Sequence, residues 1–345
     1  MLQDLPSLPR FLVLSAAVVF IIWGASQAQS VLVSLLVSVF LAVLATPPVL
    51  WLERKRLPIV VAVSIVVIGL ILMLLVMAAV VGTSINGFYV ALPNYQMRIQ
   101  EQITVLNGFL ASKHISPPED ILRDYLNPGM VMSFTAGLLI KLGSAFSNIV
   151  LIILTVTFIL LEVTSFPDKL RAVLGDPLQL FPRFNTFVED MKRYMVIKTL
   201  MSLATGILVA IWLYLLHVDF PILWGFLAFL LNFVPSLGSS IAAVPAVLLA
   251  FIQLGIWKAV LVAAGYMVIN LVLDYGIETR LMGRKLGLST LVVFLSLIFW
   301  GSLLGPVGAI LCIPLSMTLK FACEGSESTQ WLAVLLGPEK LPDHP

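Results

Sequence analysis

Four polar side chains recur at every fourth residue: Tyr266, Asn270, Asp274 and Glu278. That spacing sets all four on one face of a helix. The surrounding segment is apolar, and an acidic group in such a setting is costly unless it has a partner, water or an exchanged ion. Asp274 could therefore carry a proton or a sodium ion, with Asn270 lining the same polar face. Glu278 stands nearer a basic loop and could simply pair with Arg280 or Arg284. Asp274 lies about one turn deeper.

A second set of residues is conformational in its chemistry. The run 220–257 carries no charge, and its middle reads Asn232-Phe233-Val234-Pro235-Ser236-Leu237-Gly238-Ser239-Ser240. The run 286–319 is also uncharged and is interrupted by Gly301-Ser302-Leu303-Leu304-Gly305-Pro306-Val307-Gly308. Proline and glycine break a helix, and the backbone groups they free cannot face lipid. Paired interruptions of this kind point to a midplane binding site in transporters. The alternative is that the small residues only let helices pack closely. The expected site joins the two tips, with Asn232, Pro235, Ser236, Gly238, Ser239 and Ser240 from one and Ser302 and Gly305 from the other. Asn270, Asp274 and Glu278 adjoin it.

Other chemistries have no footing. There is no phosphate-binding Gly-x-x-x-x-Gly-Lys loop and no His-Glu-x-x-His zinc motif. The three histidines, His114, His217 and His344, lie in loops and the tail, and no Ser/His/Asp set assembles at one depth. No catalytic residue, metal site or cofactor is expected, and the chain is not read as an enzyme. His217 and Asp219 fall in a tight turn, where a solvated role is the plain reading. Cys312 and Cys323 read as free thiols. A net charge of +2 gives no basis for binding nucleic acid.

The elements that must position these residues are membrane helices. Charge is absent from 11–52, 59–97, 142–161, 220–257 and 286–319, and only 11% of the chain is charged against 60% hydrophobic. Roughly 20 apolar residues cross a bilayer as a helix. The alternating ten-residue segments of a membrane barrel are missing. The lipid bilayer is thus the first partner, and the fold class is all-α, polytopic.

Three N-terminal transmembrane helices occupy 1–83: about 11–28, 30–50 and 59–82, with Thr46-Pro47-Pro48 bending or ending the second. The first is read as an uncleaved helix rather than a secretory signal, because Asp4 offsets Arg10. Residues 84–144 form an amphipathic extracytoplasmic region, lying on the membrane or folded as a small helical insert. A transport core covers 145–320. In it a span over about 143–164 precedes an amphipathic helix over 183–198 that feeds a span over 199–217. Two re-entrant hairpins (220–257 and 286–319) flank a helix over 258–278 and open to opposite sides. Residues 321–345 are a cytoplasmic tail. With both termini, 53–58, 165–198 and 279–286 inside, 15 of the 20 Lys and Arg are cytoplasmic.

The segments Thr46-Pro47-Pro48-Val49, Asn232–Gly238, Glu278-Thr279-Arg280-Leu281-Met282-Gly283-Arg284-Lys285-Leu286-Gly287-Leu288-Ser289 and Gly305-Pro306-Val307-Gly308 through Ile313-Pro314-Leu315 resemble the autoinducer-2 exporter family. The resemblance covers nearly the whole chain and is most specific in the C-terminal third. It implies a bacterial inner-membrane protein of about eight membrane-embedded segments that forms homo-oligomers. Members are linked to export of autoinducer-2 or to sodium–proton antiport. Thr290 stands where the family commonly has proline, which alters the start of the second hairpin. The expected function is a secondary transporter exporting a small polar molecule. Alternatives are a sodium/proton antiporter and a passive channel or scaffold.

Overall fold

The computed structural model describes residues 7–112, 148–163, 184–235, 237–282, 287–325 and 329–337, with a few isolated positions between them. Among the described residues every regular element is helical. In chain order these are α1 (Ser7–Gln27), α2 (Gln29–Arg54), α3 (Ile59–Ser112), α4 (Ile149–Glu162), α5 (Phe184–Leu215), α6 (Pro221–Leu231), α7 (Gly238–Leu254) and α8 (Ile256–Asn270). A π-helical stretch, Leu271–Glu278, extends α8 into α9 (Thr279–Met282). There follow α10 (Thr290–Ile310), α11 (Cys312–Glu324) and α12 (Gln330–Leu336). Among the described residues five stretches are long and apolar enough to cross a membrane: Gln29–Arg54, Ile59–Ala91, Thr186–Leu215, Ile256–Leu281 and Thr290–Ile310. Their large exposed side chains, such as Leu72, Val76, Ile207 and Val268, are what a lipid-facing surface requires.

One N-terminal expectation is narrowed and another needs correction. Of the two readings of Thr46-Pro47-Pro48, an end to the second helix is ruled out, because α2 continues to Arg54. Two prolines remove two backbone donors, and the Thr46 hydroxyl donates to Ala42 O at 2.7 Å on the same stretch. The face carrying Ala42, Ala45 and Val49 is buried against Ile152, Val156 and Leu160 of α4, so packing holds the helix through the prolines. The third helix does not stop near 82. α3 runs unbroken to Ser112, through Pro93, so the first part of the amphipathic region is its continuation. The remainder of that region, from residue 113 on, lies outside the described residues but for isolated positions. The amphipathic helix over 183–198 and the span after it are one element, α5.

The first hairpin is α6 and α7. α6 starts with Pro221 in its first turn, where a missing donor costs nothing. It ends at Leu231, and helix resumes at Gly238. The arms of 11 and 17 residues are about 16 and 25 Å long, each short of the hydrocarbon thickness. α6 lies on α5 with Gly206 against Gly225; a Cβ on Gly225 would stand 2.5 Å from Gly206 O. Small residues permit this approach of two backbones. Leu223, Trp224, Leu227, Ala242, Ala246, Leu249, Val262 and Tyr266 close the core between α5, α6, α7 and α8.

The second interruption is narrower than its eight residues suggest. Helix continues through Gly301–Leu304, and the break falls on Gly305, with φ 67° and ψ −153°. Only glycine adopts that conformation readily. The two arms are stapled: Trp300 Nε1 donates to Ser316 Oγ at 3.0 Å, and that hydroxyl donates to Ser296 Oγ at 2.7 Å. Without proline at 290, Ser289 caps α10 by accepting from Val292 N at 3.2 Å.

Candidate functional site

α5 is the rail on which the polar residues meet. Lys198, Ser202 and Thr205 follow one another along one buried face, with Lys198 only 6% exposed. Asn232, at the end of α6, donates through Nδ2 to Ser202 Oγ at 3.2 Å. One turn away, Lys198 Nζ bonds both carboxylate oxygens of Glu278, at 2.8 and 3.0 Å. α5 therefore holds the tip of the first hairpin and the end of the α8 polar stripe side by side. Glu278 pairs within the fold with Lys198; of the two partners expected for it, Arg284 lies outside the described residues.

The rest of the stripe is less satisfied. Tyr266 Oη, Asn270 Oδ1 and Asp274 Oδ1 are buried with no hydrogen-bond partner among the described residues, as is Tyr194 Oη on α5. Buried polar atoms are normally bonded, and each exception asks for a reason. Asp274 lies within electrostatic reach of both Lys198 and Glu278. The group holds one ammonium and two carboxylates, with acceptors to spare. The backbone here is π-helical, a form that recurs at functional positions. Thr279 steadies it by donating its hydroxyl to Asp274 O at 2.8 Å.

The tip itself is tightly built. Val234 N donates to Leu231 O at 2.8 Å and Leu237 N to Pro235 O at 2.7 Å, so part of the freed backbone is satisfied locally. A Cβ on Gly238 would come within 2.6 Å of the Leu231 carbonyl carbon, which leaves room for glycine alone. Phe233 packs edge-on against Phe40 of α2, ring centroids 5.7 Å apart. Ser239 is buried and Ser240 exposed. Ser236 lies outside the described residues.

Ser302 and Gly305 are not brought to this group. Ser302 is exposed and donates to Phe299 O at 2.9 Å. A Cβ on Gly305 would meet Gln29 Nε2 at 3.4 Å, so this tip sits by the turn between α1 and α2. Gln29 and Phe40 are separated by about 16 Å along α2, and the two tips thus stand at different levels. The second hairpin approaches the group through its arm instead: Cys312 is fully buried and packs with Tyr194.

Two features escape a charge count along the sequence. Lys198 falls among the basic residues of 165–198, yet its spacing to Ser202 and Thr205 marks a polar face. At the turn the His217 side chain is exposed, as a solvated role requires, whereas Asp219 is half-buried and tied into a knot. Tyr95 Oη on α3 donates to Asp219 Oδ2 at 2.5 Å, and Asp219 N donates to Gln253 Oε1 at 3.0 Å. Gln253 Nε2 donates to His217 O at 3.2 Å, and Arg98 Nη1 to Gln253 O. Burial, then the bond to Asp219, raises the Tyr95 phenol well above its ordinary range. The knot ties α3 to the base of the first hairpin.

A family profile described as AI-2E family transporter matches residues 11–326. The chain belongs to the AI-2E transporter family. It is 38% identical over 327 residues to the "AI-2 transport protein TqsA" of Escherichia coli K12, covering 95% of each chain. It is 36% identical over 325 residues to the "Putative transport protein YhhT" of the same strain, covering 94% of this chain and 93% of the relative. A "Putative transport protein" of Haemophilus influenzae is 33% identical over 342 residues, covering 97% and 98%. The AI-2E chain described above is thus a multi-pass membrane transporter, with its polar group between α5, the first hairpin and α8.

Proposed function

We propose that this AI-2E transporter is a secondary exporter of a small polar molecule such as autoinducer-2. It works in the bacterial inner membrane with both termini cytoplasmic. The observation that carries this reading is the enclosed polar group: a non-helical hairpin tip at Asn232 beside a stripe with unpartnered atoms on Tyr266, Asn270 and Asp274. Those atoms can accept from and donate to a solute that replaces its water shell there. In chain order the α8–α9 segment links the first hairpin to the second, which supports an arrangement in which the two open to opposite sides, as alternating access needs. The name of TqsA supplies the substrate suggested.

The test is flux from proteoliposomes of purified protein loaded with autoinducer-2. Export should saturate with substrate, and Asn270→Ala or Asp274→Asn should raise KM or remove flux while the protein stays folded. Non-saturating flux would mean a channel. Ion exchange with no autoinducer-2 movement would mean an antiporter. Saturable export that both variants leave unchanged would take the polar group out of the reading.

A further inference from the structure

We infer that Lys198 is a positioning residue: through its ion pair with Glu278 it fixes the π-helical stretch that directs Asp274 into the polar group. The inference rests on the site proposed above, and it makes Glu278 a partner of Lys198 and not a solute ligand.

Three observations support it. Lys198 bonds both oxygens of Glu278, and both side chains are nearly enclosed, 8% and 13% exposed. A buried pair of this kind adds little net stability, because desolvation offsets the attraction; its attested use is to fix register. Glu278 is the last residue of the π-helical stretch, so the pair clamps the widened turn at its end. α5 makes a further attachment just beyond, where Arg193 Nη2 donates to Leu281 O at 3.0 Å. The same face of α5, one turn from Lys198, bonds Asn232 at the hairpin tip. One helix thereby sets the distance between the tip and the stripe. A π-helical turn has no strong intrinsic stability, so it needs an outside attachment to hold its side chains in one direction.

Hydrogen exchange and transport on the same nanodisc and proteoliposome preparations test this. The double variant Lys198→Met/Glu278→Gln removes both charges and leaves neither stranded. It should exchange the amides of 274–282 at least about fivefold faster and raise KM for autoinducer-2 by a similar factor, with maximal rate little changed. Lys198→Arg keeps the cation and should stay near the wild-type values in both readouts. Wild-type exchange and KM in the double variant would overturn the inference. So would Lys198→Arg exchanging as fast as the double variant, an arm that remains decisive if the double variant fails to fold. If the unaltered protein carries no autoinducer-2, the proposed function fails, while the exchange measurement still decides whether Lys198 positions the turn.

Discussion

Replacing Gly225 by alanine should separate the first hairpin from α5 without touching the polar group itself. The new Cβ would lie 2.5 Å from Gly206 O and 2.7 Å from Ala210 Cβ, where ordinary contact begins at 3.4 Å. Both obstacles are helix backbone or a short side chain, and neither can rotate away. The helices must part by about 0.9 Å, an overpacking that costs about 1–3 kcal/mol. A fall in melting midpoint of roughly 2–12 °C follows. The parting also reaches the tip. Asn232 lies two turns further along α6, and its bond to Ser202 is already 3.2 Å long. An added displacement of this size takes it beyond hydrogen-bond range. Transport should therefore fall even at temperatures where the variant is fully folded. The assay is a thermal melt and autoinducer-2 flux on one preparation, for Gly225→Ala, Gly206→Ala and the double variant. The double change should cost less than the sum, because both side chains push the same two helices apart. A Gly225→Ala protein with an unchanged midpoint and flux would show that the two helices take up the methyl without parting.

Gly305→Ala places a Cβ at φ 67° and ψ −153° and should cost about 1–3 kcal/mol; an unshifted melting midpoint would show that the turn can relax. Tyr95→Phe should loosen the base of the first hairpin, read as faster exchange at the amide of Asp219. The phenol's raised proton affinity in the fold stabilises the protein fully below its unfolded value of about 10 and is lost as pH rises beyond it. Tyr95→Phe should therefore lose less thermal stability than the wild type above that pH, and equal slopes would contradict the buried bond. A cysteine introduced at Lys55 should react with impermeant reagent only from the cytoplasmic side; labelling from outside would reverse the proposed orientation.

The hydrophobic runs and the four-residue stripe were legible because both are local patterns with a fixed period. The broken helix at Asn232–Leu237 was legible for the same reason, since Pro235 and Gly238 act on their own backbone. What sequence did not disclose depends on partners far along the chain. Whether Glu278 pairs with Arg280 or Lys198 is decided by which helix packs there, and Lys198 is 80 residues away. The contact of Gly206 with Gly225 likewise needs two helices brought face to face. At residue 84 the change from apolar to mixed composition marks a change of solvent, but a helical backbone need not stop where its surroundings change, and α3 does not. Gly305 alone carries a break that eight residues had suggested, because glycine and serine elsewhere in that stretch can remain helical when packed. The placement of Gly305 by the α1–α2 turn was illegible too, since matching hairpin patterns say nothing of the depth each tip reaches.

The length of α3 has a mechanical consequence. A rod of 54 residues is about 81 Å long, against about 30 Å of hydrocarbon. The helix is therefore far longer than a crossing requires, and its length beyond Ala91 lies past the apolar part of the rod. Tyr95 and Arg98 grip the first hairpin some 54–59 Å along that rod, measured at about 1.5 Å per residue from Ile59. The hairpin is hung from a mast and does not float at a level chosen by its own hydrophobicity. Its two arms then reach inward from a fixed suspension point, and the height of Asn232 is set by their length.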